Sequence, residues 1–574
     1  MLFQESLKKK LFSIFEKILI EKKINISNLN NFDFSIDISP KKEFGDVSSN
    51  IAMIGCKILK TSPMHLADEF AIYLKKEDKI QKIEILKPGF INFFFHESYW
   101  QNQLKEYLNI NQKFDYKIKS KKICLEYVSA NPTGLMHIGH ARGAVLGDTL
   151  SSILKEVGHD VTDEYYINDA GEQINKLLRT VNFHLSNNFE SSSSFPDSLY
   201  PGDYLKNVAK VIHKENKKNI LEQSNLNKKV IDYILNDIKE DLKTLKVNHK
   251  NFISEKKLSS KDCVDKLKKK LLDMKIAYYG FQEKPKNIDN DKWEKKKQLL
   301  FCSKKFGDDS DRALIKPNGS LTYFMSDILY HQNKVERNFD TLINIWGVDH
   351  FGYVKRLKNA LKAINKKEIH IQIKLTALVN LLKNNSKMKM SKRAGNYISM
   401  RDVLKEVGVD AIRFIMISRN ADKKIDFDLD IFLQKNKDNP VFYIQYAHAR
   451  CTSIINIAKE KLVNFNIESN FKSLNLTNLN LNEEKLIIKQ ICSFYNVIKS
   501  SAQNYEPHRI SNFLYDLAKI FHNYWSIGNV DESKRIIIDE DIELSKARIV
   551  LVLAVKLVIK KGLSILKINC PENM

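Results

Sequence analysis

The sequence predicts an α/β protein with a Rossmann-type parallel sheet as its central domain, an α+β domain before it and an all-α helix bundle after it. Two apolar stretches, 123–128 and 342–348, have the length of buried strands and alternate with helical patterns, as in a parallel sheet. A polar, lysine-rich interval separates them. The last part of the chain repeats apolar residues at helical spacing and contains little Pro or Gly.

Residues 1–115 are expected to form the α+β domain. Five apolar residues of the first segment fall on one helical face: Leu7, Leu11, Ile14, Phe15 and Ile18. Lysines interrupt this segment and no small-residue cleavage site follows it, which excludes a secretory signal. Residues 89–95 have the pattern of a strand, and the lysine-rich stretch 117–122 is interpreted as a linker to the next domain.

Residues 118–432 are assigned to the parallel-sheet domain. Its first strand is followed by a Pro/Gly turn and then by a helical pattern over 141–154. The interval from about 180 to 305 is polar, lysine-rich and mostly helical in pattern. We interpret it as an inserted domain between the two halves of the sheet.

Residues 433–574 are assigned to the helix bundle. Two apolar faces repeat at helical spacing, one made of Ile487, Ile491, Phe494 and Ile498 and the other of Ile510, Phe513, Leu514, Leu517, Ala518 and Phe521. Helices with one apolar stripe bury it against one another, so this pattern indicates a bundle.

Composition limits the class of protein. The 574 residues are 43% hydrophobic and 28% charged, as in globular proteins of several domains. The net charge of +24 suits a polyanionic partner, although usage skewed towards Lys, Asn and Ile would produce the same excess. Seven scattered cysteines without a Cys-x-x-Cys pair argue against a disulfide framework and a structural zinc site. The longest apolar run, 549–559, is too short to span a bilayer, and a cytoplasmic protein is expected.

The stretch Ser129-Ala-Asn-Pro-Thr-Gly-Leu-Met-His137-Ile-Gly139-His140 has the composition of a nucleotide-binding turn. The two histidines are three residues apart, so they share one face at the start of the predicted helix. A helix start offers unpaired N–H groups and a positive dipole end to phosphate. Gly139 lets a flat base or a phosphate approach the backbone. Taken alone, a single histidine here is more simply explained by a structural role.

A second stretch, Lys389-Met-Ser-Lys392-Arg393-Ala-Gly395-Asn396, follows much later in the chain. In this order the two stretches resemble the HIGH and KMSKS signatures of class I aminoacyl-tRNA synthetases. Within that class, the chain resembles arginyl-tRNA synthetases over nearly its whole length. The stretches that carry the closer resemblance begin at Tyr166, Tyr323, Trp346 and Asp438, and the chain ends on the similar Pro571-Glu-Asn-Met574.

The resemblance implies ATP-dependent attachment of L-arginine to its cognate tRNA through an arginyl-adenylate, giving arginyl-tRNA, AMP and pyrophosphate. It implies a catalytic role for His137, His140, Lys389 and Lys392, with Gly139, Met390 and Ser391 completing the ATP site. The histidines would donate hydrogen bonds to the triphosphate, and the lysines would hold its β- and γ-phosphates. Mg²⁺ is expected to accompany ATP on the phosphate oxygens without a dedicated protein site.

Arginine recognition requires a carboxylate, because a carboxylate matches the fork of guanidinium donors. The resemblance offers Asp327, with Tyr323 one helical turn earlier. The full set of arginine-binding residues that it implies is Glu126, Asn131, Tyr323, Asp327, Asp349 and His350. The separate contributions of Asp349 and His350 stay open.

Tyr443, Tyr446 and Arg450 lie at i, i+3 and i+7, on one face of a predicted helix. Aromatic rings stack on unpaired bases and arginine binds phosphates or base edges. By resemblance this face meets the anticodon loop, with Met574 nearby, whereas spacing alone is more typical of a packed core stripe. The first domain resembles the one that this family places against the tRNA elbow. A monomer is expected by resemblance.

Three positions depart from the family pattern: Phe351 replaces a second histidine, Arg393 replaces the serine that closes KMSKS, and Asn573 replaces a penultimate arginine. None of them removes a group that the chemistry requires. Other interpretations are a different or degenerate class I synthetase, a small-molecule nucleotidyltransferase, and a nucleic-acid-binding module without catalysis. Small-molecule nucleotidyltransferases lack a helical C-terminal bundle. A nucleic-acid-binding module without catalysis would leave both nucleotide motifs unexplained.

Overall fold

The computed structural model describes residues 3–25, 29, 32–39, 42–75, 77–109, 113–187, 195–196, 198–201, 203–215, 223–282, 296–365, 368–384, 386–388, 398–462, 465, 471 and 473–574. The elements of the first domain are, in chain order, α1 (Phe3–Glu21), β1 (Ile36–Ile38), β2 (Val47–Ser49), α2 (Ile51–Leu59), α3 (Pro63–Leu74), β3 (Ile80–Leu86), β4 (Phe90–Phe95) and α4 (Glu97–Asn109). The strands form an antiparallel sheet in the order β1-β2-β4-β3. The predicted apolar face of α1 is buried at all five positions, which confirms the α+β prediction.

The central part begins with β5 (Lys122–Glu126), α5 (Ile138–Glu156), β6 (Asp160–Ile167), α6 (Glu172–Ser186), α7 (Asp203–Glu215), α8 (Gln223–Thr244), β7 (Asn251–Ser254), α9 (Glu255–Leu258), α10 (Lys261–Asp273), β8 (Ala277–Phe281), β9 (Lys297–Phe301) and β10 (Arg312–Ile315). It continues with α11 (Tyr323–Glu336), β11 (Thr341–Gly347), α12 (Phe351–Ile364), β12 (His370–Thr376), β13 (Val379–Lys383), β14 (Ser386–Lys387), α13 (Met400–Met416), β15 (Ile425–Asp428) and α14 (Leu429–Leu433).

The main sheet is parallel throughout, in the order β12-β11-β5-β6-β7. The chain moves from β5 to β6 and β7 on one side and returns to β11 on the other side. The strand order therefore reverses between β5 and β11, and their carboxyl ends flank a crevice of the kind in which α/β sheets bind ligands. The loop after β5 carries the two-histidine stretch, and the turn after β11 carries Asp349 and His350.

The predicted insertion, about 180–305, differs from the structure in two respects. The short strand β7 lies inside this interval and pairs in parallel with β6, so the chain returns to the main sheet at 251–254. The structure therefore has two insertions where one was predicted. Helices α6–α8 form the insertion before β7, and α10 with the antiparallel sheet β10-β9-β8 forms the second excursion from the main sheet, after β7. The second excursion extends to Ile315, beyond the predicted end.

The first strand also ends earlier than the predicted residue 128. Val128 and Ser129 have φ angles of 70° and 41°, in the left-handed region that a strand does not use. The backbone therefore leaves the sheet directly after Glu126 and turns towards the start of α5. The second predicted strand, 342–348, corresponds to β11.

The C-terminal part is a helix bundle, as predicted, made of α15 (Pro440–Lys461), α16 (Asn482–Asn504), α17 (His508–Val530) and α18 (Ile542–Ile565). Every residue of the two predicted apolar faces is buried. A buried arginine ties the bundle to the parallel-sheet domain, because Arg413 of α13 donates to Asp148 of α5 at 2.8 Å and to the carbonyl of Leu566 at 2.9 Å. Within the described part of the chain, no helix is long and apolar enough to cross a membrane.

Candidate active site

The two histidines of the first motif stack on each other at the N-terminus of α5. Their ring centroids are 3.7 Å apart and the rings are nearly parallel, at 16°. The backbone N–H of His137, the N-cap residue, donates to Nδ1 of His140 at 3.2 Å. Since Nδ1 accepts this bond, neutral His140 carries its proton on Nε2. The two imidazole rings and the positive dipole end of a helix thus lie together at the crevice, an arrangement suited to an anion.

Gly139 leaves room for this stacking. A Cβ at this position would lie 3.0 Å from Cε1 and Nδ1 of His137, closer than ordinary van der Waals contact. A larger residue at 139 would therefore require the His137 ring to shift by a few tenths of an ångström.

Residues of β6 and the turn after it hold the loop between β5 and α5 in place. The hydroxyl of Tyr165 donates to the carbonyl of Ala130 at 2.7 Å, and the amide of Asn168 donates to the carbonyl of Ser129 at 3.1 Å. Tyr127 packs against Gly147 of α5, where a Cβ would lie only 2.2 Å from the ring. The histidines are thus presented by a loop that is fixed on both sides.

Lys389, Met390, Ser391 and Lys392 of the second motif lie outside the described residues. The described residues on either side place its ends. The motif follows the β13–β14 hairpin, and α13 begins after it with Ser399 as the N-cap. The backbone N–H of Met400 donates to the carbonyl of Met136 at 3.1 Å, so the chain returns from the second motif next to His137 of the first.

Three carboxylates cluster beside the crevice: Asp327 of α11, Glu126 at the end of β5, and Glu255 at the start of α9. Burial raises the pKa of Asp327 to about 7, and Glu126 and Glu255 act in the same direction, whereas the hydroxyl of Tyr353 and the charge of Lys334 oppose it. Burial also raises the pKa of Glu255, and Asp169 adds to the effect. Carboxylates whose charged forms are disfavoured in this way are stabilised by a bound cation.

Lys334 already neutralises one member of the cluster. Its Nζ lies 2.6 Å from Oε2 of Glu126 and 4.0 Å from the ring centroid of Tyr330, and the side chain is fully buried. Burial disfavours the charged form of Lys334, but Glu126 and other nearby groups more than offset this and raise its pKa. Glu126 is therefore paired within the protein, and the negative charge that remains for a ligand belongs to Asp327 and Glu255.

The other predicted arginine-binding residues lie at the same edge of the sheet. Tyr323 is the first residue of α11, one turn before Asp327, and 76% of it is exposed. Asp349 and His350 form a short 3₁₀ turn after β11, with His350 Nε2 3.4 Å from Asp349 Oδ2. The amide of Asn131 donates to Gln173 at 2.7 Å. Among the described residues, no group of three or more His, Cys, Asp or Glu side chains has the geometry of a metal site.

The predicted tRNA-binding face of α15 is assembled around Arg450. Its guanidinium lies 3.8 Å from the ring centroid of Trp525 and 4.5 Å from that of Tyr446, and it donates to Nδ1 of His522 at 2.7 Å. Tyr443 lies 4.3 Å from the His522 ring. Burial lowers the pKa of His522 to about 4, so the imidazole is neutral and accepts the bond from Arg450. Met574, at the chain end, is 52% exposed.

Several residues of these clusters were not predicted from the sequence, among them Glu255, Lys334, Tyr353, His522 and Trp525. No local spacing or motif in the sequence marks them. Lys334, in particular, has the sequence context of an ordinary helical lysine, and only its burial beneath Glu126 distinguishes it.

Comparison with known proteins matches family models to nearly the whole chain. A family model described as the class I tRNA synthetase (R) catalytic domain matches residues 103–436, an arginyl-tRNA synthetase N-terminal domain matches 3–95, and a DALR anticodon-binding domain matches 444–574. The chain belongs to the arginyl-tRNA synthetase family. The arginine–tRNA ligase of Pelagibacter ubique is 41% identical over 94% of both chains, and that of Wolbachia pipientis from Culex pipiens is 40% identical over 98% of this chain and 100% of its own.

Solved structures support the same family and fold. A putative arginyl-tRNA synthetase from Campylobacter jejuni is 29% identical and superposes with a TM-score of 0.70, covering 84% of this chain and 100% of its own. The Thermus thermophilus arginyl-tRNA synthetase, at 18% identity, shares the fold over the full length of both chains with a TM-score of 0.71. The matched family confirms the predicted α/β fold with its N-terminal and C-terminal domains, whereas the predicted domain boundaries stay predictions.

Proposed function

We propose that Asp327 binds the guanidinium of L-arginine in the reaction of this family. The chain catalyses ATP-dependent attachment of L-arginine to its cognate tRNA, through an arginyl-adenylate and with release of AMP and pyrophosphate. The observation that carries the site assignment is the raised pKa of Asp327 beside a second carboxylate, Glu255. Glu126 is paired with the buried Lys334, whereas the described contacts give Glu255 no buried cation of this kind. A guanidinium supplies the missing charge and matches a carboxylate with two parallel donors.

The remaining arginine contacts follow from this placement. Tyr323 lies above Asp327 on the same helix face, where its ring can cover the aliphatic stem or the guanidinium plane. Glu126, held by Lys334, and Asn131 lie at the start of the loop towards the histidines, and we assign them to the amino and carboxylate groups of the substrate. Asp349 and His350 border the crevice from the end of β11, and we assign them to the same pocket.

Activation of arginine requires its carboxylate to attack the α-phosphorus of ATP, so that the bond to the bridging oxygen breaks and pyrophosphate leaves. Such a step depends on positioning and on stabilising the developing charge. We assign this role to His137 and His140 with the N-terminus of α5, and we place adenine over Gly139. Lys389 and Lys392, with Met390 and Ser391, hold the outer phosphates in this proposal, and Mg²⁺ accompanies ATP because it prefers phosphate oxygens.

Transfer then requires a ribose hydroxyl of the terminal adenosine to attack the adenylate carbonyl, with AMP as the leaving group. We propose that the tRNA is held by Tyr443, Tyr446, Arg450 and Met574 of the C-terminal domain. The net charge of +24 supports association with this polyanion. A cytoplasmic location and a monomeric state complete the proposal.

The experiment that tests the proposal is charging of total tRNA with each of the twenty labelled amino acids. We expect arginine alone to be attached by the wild-type chain, and we expect Asp327→Ala and the isosteric Asp327→Asn to lose attachment. A pocket of charged groups rejects analogues that leave those groups unpaired by on the order of 10⁴-fold. Asp327→Asn activity close to wild type would move the guanidinium site elsewhere. Attachment of another amino acid would contradict the arginine specificity.

A further inference from the structure

The hydroxyl of Tyr353 donates to Oδ2 of Asp327 at 2.6 Å. Tyr353 belongs to α12, which follows β11, whereas Asp327 belongs to α11. The bond therefore joins two separate helices at the site of the proposed guanidinium contact. We propose that Tyr353 is a positioning residue that fixes the carboxylate of Asp327 for the guanidinium of arginine. This inference rests on the proposed function of Asp327.

The ring of Tyr353 is itself held from three sides. Its centroid lies 6.1 Å from that of Trp346 and 6.2 Å from that of Phe324, the latter in an edge-to-face arrangement, and the Arg356 guanidinium lies 5.8 Å away. Such packing restricts the phenol to one position, so the hydroxyl is a fixed donor. Because Oδ2 of Asp327 accepts this bond, the carboxylate has one preferred rotamer, and Oδ1 together with the second lone pair of Oδ2 remains to accept from a ligand.

The charges around Asp327 determine whether its carboxyl group is ionised, and the hydrogen bond from Tyr353 acts together with them. Glu126 from the end of β5 and Glu255 from α9 repel a charge on Asp327, whereas Lys334, two turns along its own helix, attracts one. The charge of Asp327 also acts on Tyr166 of β6, whose pKa it helps to raise. The hydroxyl of Tyr353 is the hydrogen bond that opposes the burial of Asp327, so it favours the ionised form that a guanidinium requires.

The consequence is a pH-dependent defect when the hydroxyl is removed. The pKa of Asp327 is about 7 with the hydroxyl present. Loss of a donor to the ionised form raises the pKa of Asp327 further, so fewer molecules are competent to bind arginine near neutral pH. At a pH well above both values Asp327 is ionised in either protein, and this part of the defect disappears.

The test is the KM for arginine in aminoacylation, measured for wild type and Tyr353→Phe from about pH 6 to about pH 9. We expect the variant to raise KM about tenfold near pH 7, the size of effect for a hydrogen bond to a charged group. The ratio of the two KM values should fall steadily above pH 7, and kcat should stay within about twofold. A ratio near one, or a ratio that does not change with pH, would overturn the inference.

Tyr524→Phe is the matched control. The hydroxyl of Tyr524 in α17 also donates to a buried carboxylate, reaching Oε1 of Glu484 at 3.0 Å, but Glu484 is paired with Arg548 inside the C-terminal bundle. We expect comparable effects of the two variants on thermal stability and a change in the KM for arginine only for Tyr353→Phe. An equal rise in KM for both variants would indicate a general structural effect and contradict the positioning role.

Two further measurements separate the possible failures. Replacing Tyr353 by 3-fluorotyrosine keeps the ring and makes its hydroxyl a stronger hydrogen-bond donor, so the midpoint of the pH dependence of the KM for arginine should move to lower pH. This measurement remains possible even if Tyr353→Phe does not fold. An unmoved midpoint would overturn the inference. Asp327→Asn reports on the proposed function alone. A large loss in Asp327→Asn with no effect at Tyr353 would reject only the positioning role, and no loss in Asp327→Asn would reject the guanidinium site itself.

Discussion

At the scale of the residue, the pocket balances one carboxylate internally and leaves another for the substrate. Lys334 is buried against Glu126, and truncating one partner of such a pair typically costs about 3–5 kcal/mol because the other charge stays unpaired. Asp327 has the opposite character, since its pKa is raised to about 7. The protein therefore keeps a destabilising group at the position where a guanidinium would relieve it.

This difference predicts that Asp327→Asn stabilises the protein without ligand. The pKa of Asp327 rises from 3.8 to about 7 on folding, so the folded state binds more protons between these values and its stability falls as pH rises through that window. The variant should therefore exceed wild type in unfolding free energy by on the order of 2–4 kcal/mol at about pH 8, and by much less at about pH 5. Denaturant unfolding at the two pH values measures this. Equal stability of the variant and the wild type at both pH values would show that the charged form of Asp327 is not disfavoured in the folded protein.

At the scale of the element, the glycines at the start of α5 differ in how closely they contact the proposed ATP site. Its first turn holds Gly139 against the His137 ring, whereas Gly143, one turn later, has open space where a Cβ would stand. The two glycines thus have the same helical backbone and different surroundings, which makes them a matched pair.

Gly139→Ala should impair ATP use while Gly143→Ala should not. Alanine is favoured over glycine in a helix interior by about 1 kcal/mol, so Gly143→Ala should raise the melting temperature and keep wild-type kinetics. In Gly139→Ala the new Cβ displaces the His137 ring, and we expect the kcat/KM for ATP in pyrophosphate exchange to fall at least about tenfold. Equal kinetics in the two variants would mean that the stacked histidines have no role in binding ATP.

The same scale shows why part of the fold was predictable from sequence. The apolar faces of α1, α16 and α17 repeat over several turns, so periodicity alone identifies which residues are buried. The strand β7 has only four residues, all half-buried, and follows a lysine-rich helix. Its place in the sheet is decided by pairing with β6, a non-local interaction that no periodicity reports. Asp327 was found through a motif, whereas Tyr353 reaches it from a separate helix that the motif does not include.

At the scale of the whole molecule, the three domains are joined by buried and half-buried ion pairs. Asp148 of α5 accepts from Arg413 of α13 at 2.8 Å and from Lys567, just after α18, at 2.6 Å. The helix that presents the histidines is therefore connected directly to the end of the C-terminal bundle. Lys489 of α16 pairs in the same way with Asp46 of the first domain. A tRNA held by the C-terminal domain would thus contact a body whose other end is the proposed active site.

The net charge of +24 predicts that the KM for tRNA depends steeply on salt and the KM for arginine does not. Each phosphate contact releases counterions, so several contacts together should raise the KM for tRNA by at least about tenfold between about 50 mM and 200 mM salt. Arginine is bound in a pocket that screening reaches far less, and its KM should change by less than about twofold. Aminoacylation with one substrate saturating and the other varied measures both KM values.

Arg450→Gln serves as the comparison, because loss of one phosphate contact should reduce the slope of log KM for tRNA against log salt concentration by about one. A slope unchanged in Arg450→Gln, with KM raised equally at every salt concentration, would instead identify Arg450 as a contact to a base.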